Sequence, residues 1–150
     1  MTNFARIREL ARQEERLRWA VERQRAKCTR KTPTYSDGPR GSGGGQRMEE
    51  DTIRLVMLKD QLEHVREELE PERALLQRYV KKLKDGTQRA AMEMRYMKAM
   101  GIIEIGDTMG YSERQVRRIL KRAESLVLQR EKASEDRRKR CPVVSGNSVI

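Results

Sequence analysis

The most constraining stretch of this chain is residues 102–120, IIEIGDTMGYSERQVRRIL. Ile102, Ile105 and Met109 recur at the spacing of one helical face. Gly106 is small at a position where two helices must cross closely. Gly110 then predicts a helix end, because glycine takes the left-handed backbone that other residues resist. Tyr111 is expected to plug the corner. Ser112 reads as the N-cap of a second helix, and Gln115 three residues on completes a capping box. Val116, Ile119, Leu120 and Ala123 form the apolar stripe of that helix, while Arg114, Arg117, Arg118, Lys121 and Arg122 occupy its other side. A helix that is apolar behind and cationic in front suits the major groove of DNA, so the block reads as a helix-turn-helix. The alternative from the residues alone is an ordinary helical hairpin with a solvated basic face.

The rest of the chain cannot be one large core. Of the 150 residues, 36% are hydrophobic, 4% aromatic and 38% charged, which predicts helices joined by polar segments. The net charge of +11 favours an anionic partner. A membrane is not expected as that partner: no apolar run approaches the roughly 18 residues a span needs, and no secretory signal opens the chain. A cytoplasmic location is expected.

The charge is uneven. Residues 1–47 hold 12 Lys/Arg against 5 Asp/Glu, whereas residues 48–84 hold 8 against 9. Residues 1–28 predict a basic helix with a thin apolar stripe (Phe4, Ile7, Leu10, Ala11, Leu17, Val21), serving either as a flexible arm that folds on DNA, polymerase or another protein, or as a marginal projection. Residues 29–47 carry two prolines and five glycines and predict a linker. Residues 48–84 predict a pair of amphipathic helices broken near Pro71. In the first, Leu55, Leu58, Leu62, Val65 and Leu69 make a short heptad seam that is expected to pack within the chain; a homo-oligomer stays open. Residues 85–130 form the expected helix-turn-helix domain, with Thr87 capping a helix over 88–99 whose inner face is Ala91, Met92, Arg95, Tyr96 and Met100. Residues 131–150 predict a basic flexible tail. The expected fold class is therefore all-α: a C-terminal three-helix bundle preceded by amphipathic helices.

Little in the chain suggests catalysis. Cys28 and Cys141 make no C-x-x-C motif, and His64 is the single histidine. Glu104 and Asp107 share a helix face without the further carboxylates that paired metal ions need. No enzyme, no cofactor and no metal site is expected.

Residues 112–123 resemble the helix-turn-helix of region 4 in sigma-70-type factors. More widely, YSDGPRGSGGG and RAAMEMRYMKAMGIIEIGDTMGYSERQVRRILKRAE resemble the small phage and prophage late-gene regulators of the RinA/ArpU type. The resemblance covers residues 34–124, sharpest over RYM…EIGDTMGYSERQVRRI. Gly106 departs from it, standing where alanine is usual, and residues 1–33 have no counterpart. The resemblance implies a sequence-specific transcription regulator, an activator that binds double-stranded DNA and contacts host RNA polymerase. It implies base contacts from Glu113, Arg114, Arg117 and Arg118, a phosphate at Ser112 and the first amides of its helix, and electrostatic steering by Lys121 and Arg122. The competing reading is a DNA-packaging protein resembling a small terminase subunit, which also joins such a motif to helical oligomerisation elements.

Overall fold

The structure is a computed structural model, and it describes residues 2–29 and 44–141. These are helical almost throughout, with no strand among the described residues. Five α-helices follow in order: α1 (Phe4–Thr29), α2 (Gly44–Lys81), α3 (Gly86–Met92), α4 (Ile102–Met109) and α5 (Glu113–Arg140). A π-helical turn, Glu93–Met97, continues directly from α3. The described residues fall into two compact units. One holds residues up to Ile7 together with those from Glu72 onward; the other lies within Arg8–Pro71.

In the unit within Arg8–Pro71, α1 and α2 are tied by polar contacts. Gln24 Nε2 donates to the Asp51 carbonyl (3.0 Å) and carboxylate (2.9 Å), and Arg66 Nε donates to Glu14 Oε1 at 3.1 Å. Val21, Leu62, Val65 and Leu69 are buried, so the lower part of the heptad seam packs within the chain as expected. Leu55 and Leu58 are only half-buried.

Several boundaries differ from the sequence expectation. The helix does not break near Pro71, because α2 runs through it without interruption. Proline there removes the bond to the Glu67 carbonyl, but Pro71 and Glu67 are both exposed, so water can solvate that carbonyl. Pro71 instead marks the limit between the two units. The linker expected over 29–47 is shortened at both ends, since Thr29 ends α1 and Gly44 opens α2; its residues 30–43 lie outside the described residues. The tail expected from 131 is helical to Arg140, because Glu, Lys, Ala and Arg are good helix formers and no breaker interrupts them. Residues 142–150 lie outside the described residues.

The other unit is organised by α5, on which α3 and α4 pack. Its core contains Leu76, Val80, Leu83, Met92, Tyr96, Ile105, Val116, Leu120 and Val127. The start of α1 belongs here rather than forming a free arm. Ile7 is fully buried, and the Phe4 ring lies 5.3 Å from that of Tyr96. Thr2 donates its backbone N–H (2.8 Å) and its hydroxyl (3.1 Å) to the carboxylate of buried Glu131. Tyr96 is the hub of this core: its hydroxyl donates to Glu124, and its carbonyl accepts from Arg73 Nε at 3.2 Å.

The N-cap of α3 is Asp85, not Thr87. Asp85 sits in extended backbone, and its carboxylate accepts the Thr87 N–H at 2.9 Å. The helix expected over 88–99 gives way after Met92 to the π turn. Ala91, Met92 and Tyr96 are buried as the pattern indicates, whereas Arg95 and Met100 are half-buried. Arg95 Nη1 donates to the Met100 carbonyl at 2.9 Å, bracing the segment that leads into α4. Ala99 takes a left-handed φ of 56° in that segment.

Candidate nucleic-acid interface

The interface candidate is built around the turn between α4 and α5. Gly101 starts α4 in extended backbone, and the Glu104 carboxylate accepts its N–H at 3.3 Å. Ile105 and Gly106 are buried, while Ile102 and Met109 are half-buried. Gly110 ends α4 with φ 73°, the left-handed conformation expected of it. The Tyr111 N–H then donates to the Gly106 carbonyl at 2.9 Å. A Cβ on Gly106 would stand 2.6 Å from the Tyr111 carbonyl oxygen and 3.7 Å from Val116 Cγ2. Gly106 is therefore required by the returning chain itself. Tyr111 does not plug the corner: its side chain is 38% exposed. The backbone of Tyr111, not its ring, fills the space that Gly106 leaves.

Ser112 caps α5 as its sequence indicates. Its hydroxyl accepts the Gln115 N–H at 3.4 Å, and the Gln115 side-chain oxygen accepts the Ser112 N–H at 2.9 Å. The Ser112 hydroxyl also donates to that oxygen at 3.0 Å. This reciprocal cap fixes where α5 begins, and so fixes the phase of every side chain on it. The first amides of α5 remain without helical acceptors, as at any helix start.

Val116, Leu120, Ala123 and Val127 turn inward, with Ile119 half-buried beside them. Arg114, Arg117, Arg118, Lys121 and Arg122 are all exposed. At about 100° per residue these five cations span an arc of roughly 140° opposite the buried stripe, over about 12 Å of helix. The Arg117 guanidinium pairs with Glu113 at 3.4 Å, one turn back. Among the described residues, the other four cations meet no acidic partner. Glu113, Arg114, Arg117, Arg118 and Lys121 together line a surface hollow of about 370 Å³. The expected contact residues thus share one face, whereas Ser112 has its hydroxyl engaged in the cap.

Other chemistry is sparse. His64 is exposed, within 3.6 Å of Glu68. Both cysteines are free. Among the described residues no group of His, Cys, Asp and Glu is placed to hold a metal, and no helix is long and apolar enough to cross a membrane.

The model of a family described as a protein of unknown function (DUF1492) matches residues 32–128, well over half of the chain. The chain belongs to the DUF1492 family. No curated protein and no solved structure matches it. The DUF1492 span includes the whole α4–α5 turn and every cation of the α5 face, and it leaves α1 outside.

The sequence reading missed two structural supports of this face. Glu131 receives Thr2 from the far end of the chain, and Tyr96 reaches Glu124 on α5. Both join residues distant in sequence, so no local pattern signals them.

Proposed function

We propose that this DUF1492 protein is a sequence-specific, DNA-binding transcription regulator, with α4, the turn and α5 acting as a helix-turn-helix. One observation carries the reading: four exposed cations that meet no acid among the described residues, and one pre-oriented arginine, share the front of a helix whose back is buried. The arc is about as long as a major groove is wide, roughly 12 Å. In this reading Arg114, Arg117 and Arg118 meet guanine O6 and N7, and Glu113 accepts from cytosine N4. The free amides at the start of α5 meet a phosphate, with Ser112 setting their position. Lys121 and Arg122 steer the duplex electrostatically.

The sequence resemblance refines the proposal to a phage or prophage late-gene activator of the RinA/ArpU type, with a sigma-70-region-4-like module and a contact to host RNA polymerase. The test is enrichment of duplexes from a random pool at two salt concentrations, followed by titration of the winning site. Arg114→Ala and Arg118→Ala are each expected to cost about 1–3 kcal/mol at that site and to relax its sequence preference. A pool that yields no shared motif, with binding that vanishes at the higher salt, would mean phosphate attraction alone and would remove the proposal.

A further inference from the structure

The outward face of α1 carries a second cationic stripe. Arg8, Arg12, Arg16, Trp19, Arg23 and Lys27 follow one another at steps of four, four, three, four and four. At about 100° per residue they fall within an arc of roughly 100°, running some 28 Å along the helix. Of the buried residues of this helix, Ile7, Leu10, Val21 and Gln24 lie on the opposite side, while Ala11 flanks the stripe beside Arg8. Arg12, Arg16, Arg23 and Lys27 are exposed, and Arg8 is half-buried. Glu9 is the one acid within the arc, and its pairing with Arg16 at 3.2 Å is solvent-exposed on both sides. Such a pair contributes little and exchanges readily for another anion. Among the described residues, Arg12, Arg23 and Lys27 meet no acid.

Trp19 stands in the middle of this stripe, is 67% exposed, and also borders the groove between α1 and α2, near Arg18, Glu22, Arg25 and Glu63. A single exposed apolar residue is ordinary on a protein surface; what distinguishes Trp19 is its register with five cations on one helix face. We infer that the Arg8–Lys27 face of α1 is a nucleic-acid contact surface in its own right, with its cations on the sugar–phosphate backbone and Trp19 laid against a sugar or an unpaired base. Regularly spaced cations around an aromatic ring fit a polyanion that also offers flat faces. An anionic membrane fits less well: a surface-lying helix inserts a free apolar face, and the apolar side of α1 is already buried.

This inference does not rest on the α5 reading. Trp19 is the only tryptophan, so its emission reports on this face alone. The whole 150-residue chain would be titrated with a 30-base-pair duplex and with its single strand, while iodide quenching of Trp19 is followed. At saturation, the quenching constant is expected to fall at least twofold. The triple variant Arg12→Ala, Arg23→Ala, Lys27→Ala changes exposed positions only. It should lower the slope of log affinity against log salt by about 2–3, at roughly 0.9 per lost phosphate contact on a duplex and 0.7 on a single strand. Its sequence preference should stay that of the parent. Nucleic acid that binds while Trp19 stays fully open to iodide overturns the inference. So does an unchanged salt slope in the triple variant, or shielding by phosphatidylglycerol vesicles and not by nucleic acid. A protein with no sequence preference but a shielded Trp19 upholds it and sinks the α5 proposal instead.

Discussion

Replacing Gly106 by alanine sets two well-defined effects against each other. Helix propensity favours the change: alanine inside a helix is better than glycine by roughly 0.5–1 kcal/mol. Steric contact opposes it. The added methyl would lie 2.6 Å from the Tyr111 carbonyl oxygen, which is backbone and is held by the Tyr111 N–H on the Gly106 carbonyl. The methyl therefore cannot be accommodated by a side-chain rotation, and the turn must shift away from α4. Overpacking of this kind costs about 1–3 kcal/mol. Because the obstacle is main chain, the upper half of that range applies, and the net expectation is a loss of about 1–2 kcal/mol. With a urea slope of about 1–3 kcal/mol/M for a small protein, the midpoint followed by far-ultraviolet circular dichroism should fall by roughly 0.5–1 M. Gly86→Ala is the control, since its nearest contact would be the end of the Arg89 side chain at 3.7 Å; it should be neutral or slightly stabilising. A Gly106→Ala midpoint equal to or above the parent's would refute the reasoning, because propensity alone would then be acting and the turn could not run where it is described.

Two further substitutions probe how α5 is held. Ser112→Ala removes the acceptor for the Gln115 N–H and half of the reciprocal cap, so it should cost about 1 kcal/mol; a calorimetric melt that does not move would show the cap to be idle. Glu131→Ala leaves the N–H and hydroxyl of Thr2 without their buried acceptor. Hydrogen exchange of the amides at 6–8 should then quicken at least tenfold while those of 116–123 stay protected, and equal exchange in variant and parent would contradict the contact.

What could be read from the sequence was what is decided within a few residues. Gly110, Ser112 and Gln115 act on their immediate neighbours, and the structure shows each in its expected part. The inward phase of Val116, Leu120 and Ala123 follows directly once the cap fixes where α5 starts. Errors arose where residue type suggests a role that geometry assigns elsewhere. Thr87 and Asp85 are both capping residues two apart, and the extended backbone at Asp85 decides between them. Tyr111 has a ring suited to filling a corner, but the Gly106 contact is made by its carbonyl. Pro71 breaks helices whose freed carbonyl is buried, and here that carbonyl has access to water. The place of Thr2 beside Glu131 could not be read at all, since 129 positions separate them.

The cost of the α5 face to the free protein explains why it invites a functional reading. Arg114–Arg118, Arg117–Lys121 and Arg118–Arg122 are like-charge pairs one turn apart, and each opposes the helix by about 0.2–0.5 kcal/mol. Among the described residues, only Arg117 of these has an offsetting acid, Glu113. A face kept for solubility alone would mix signs, as residues 48–84 do with 8 cations and 9 acids. The α1 stripe repeats the arrangement, with Arg8–Arg12, Arg12–Arg16 and Arg23–Lys27 each one turn apart. A surface that destabilises its own helix through repulsion is relieved by a bound polyanion, so the free energy lost in isolation returns as binding energy. That coupling makes salt the discriminating variable. Raising it should stabilise the free protein by screening these pairs while weakening any complex that they make.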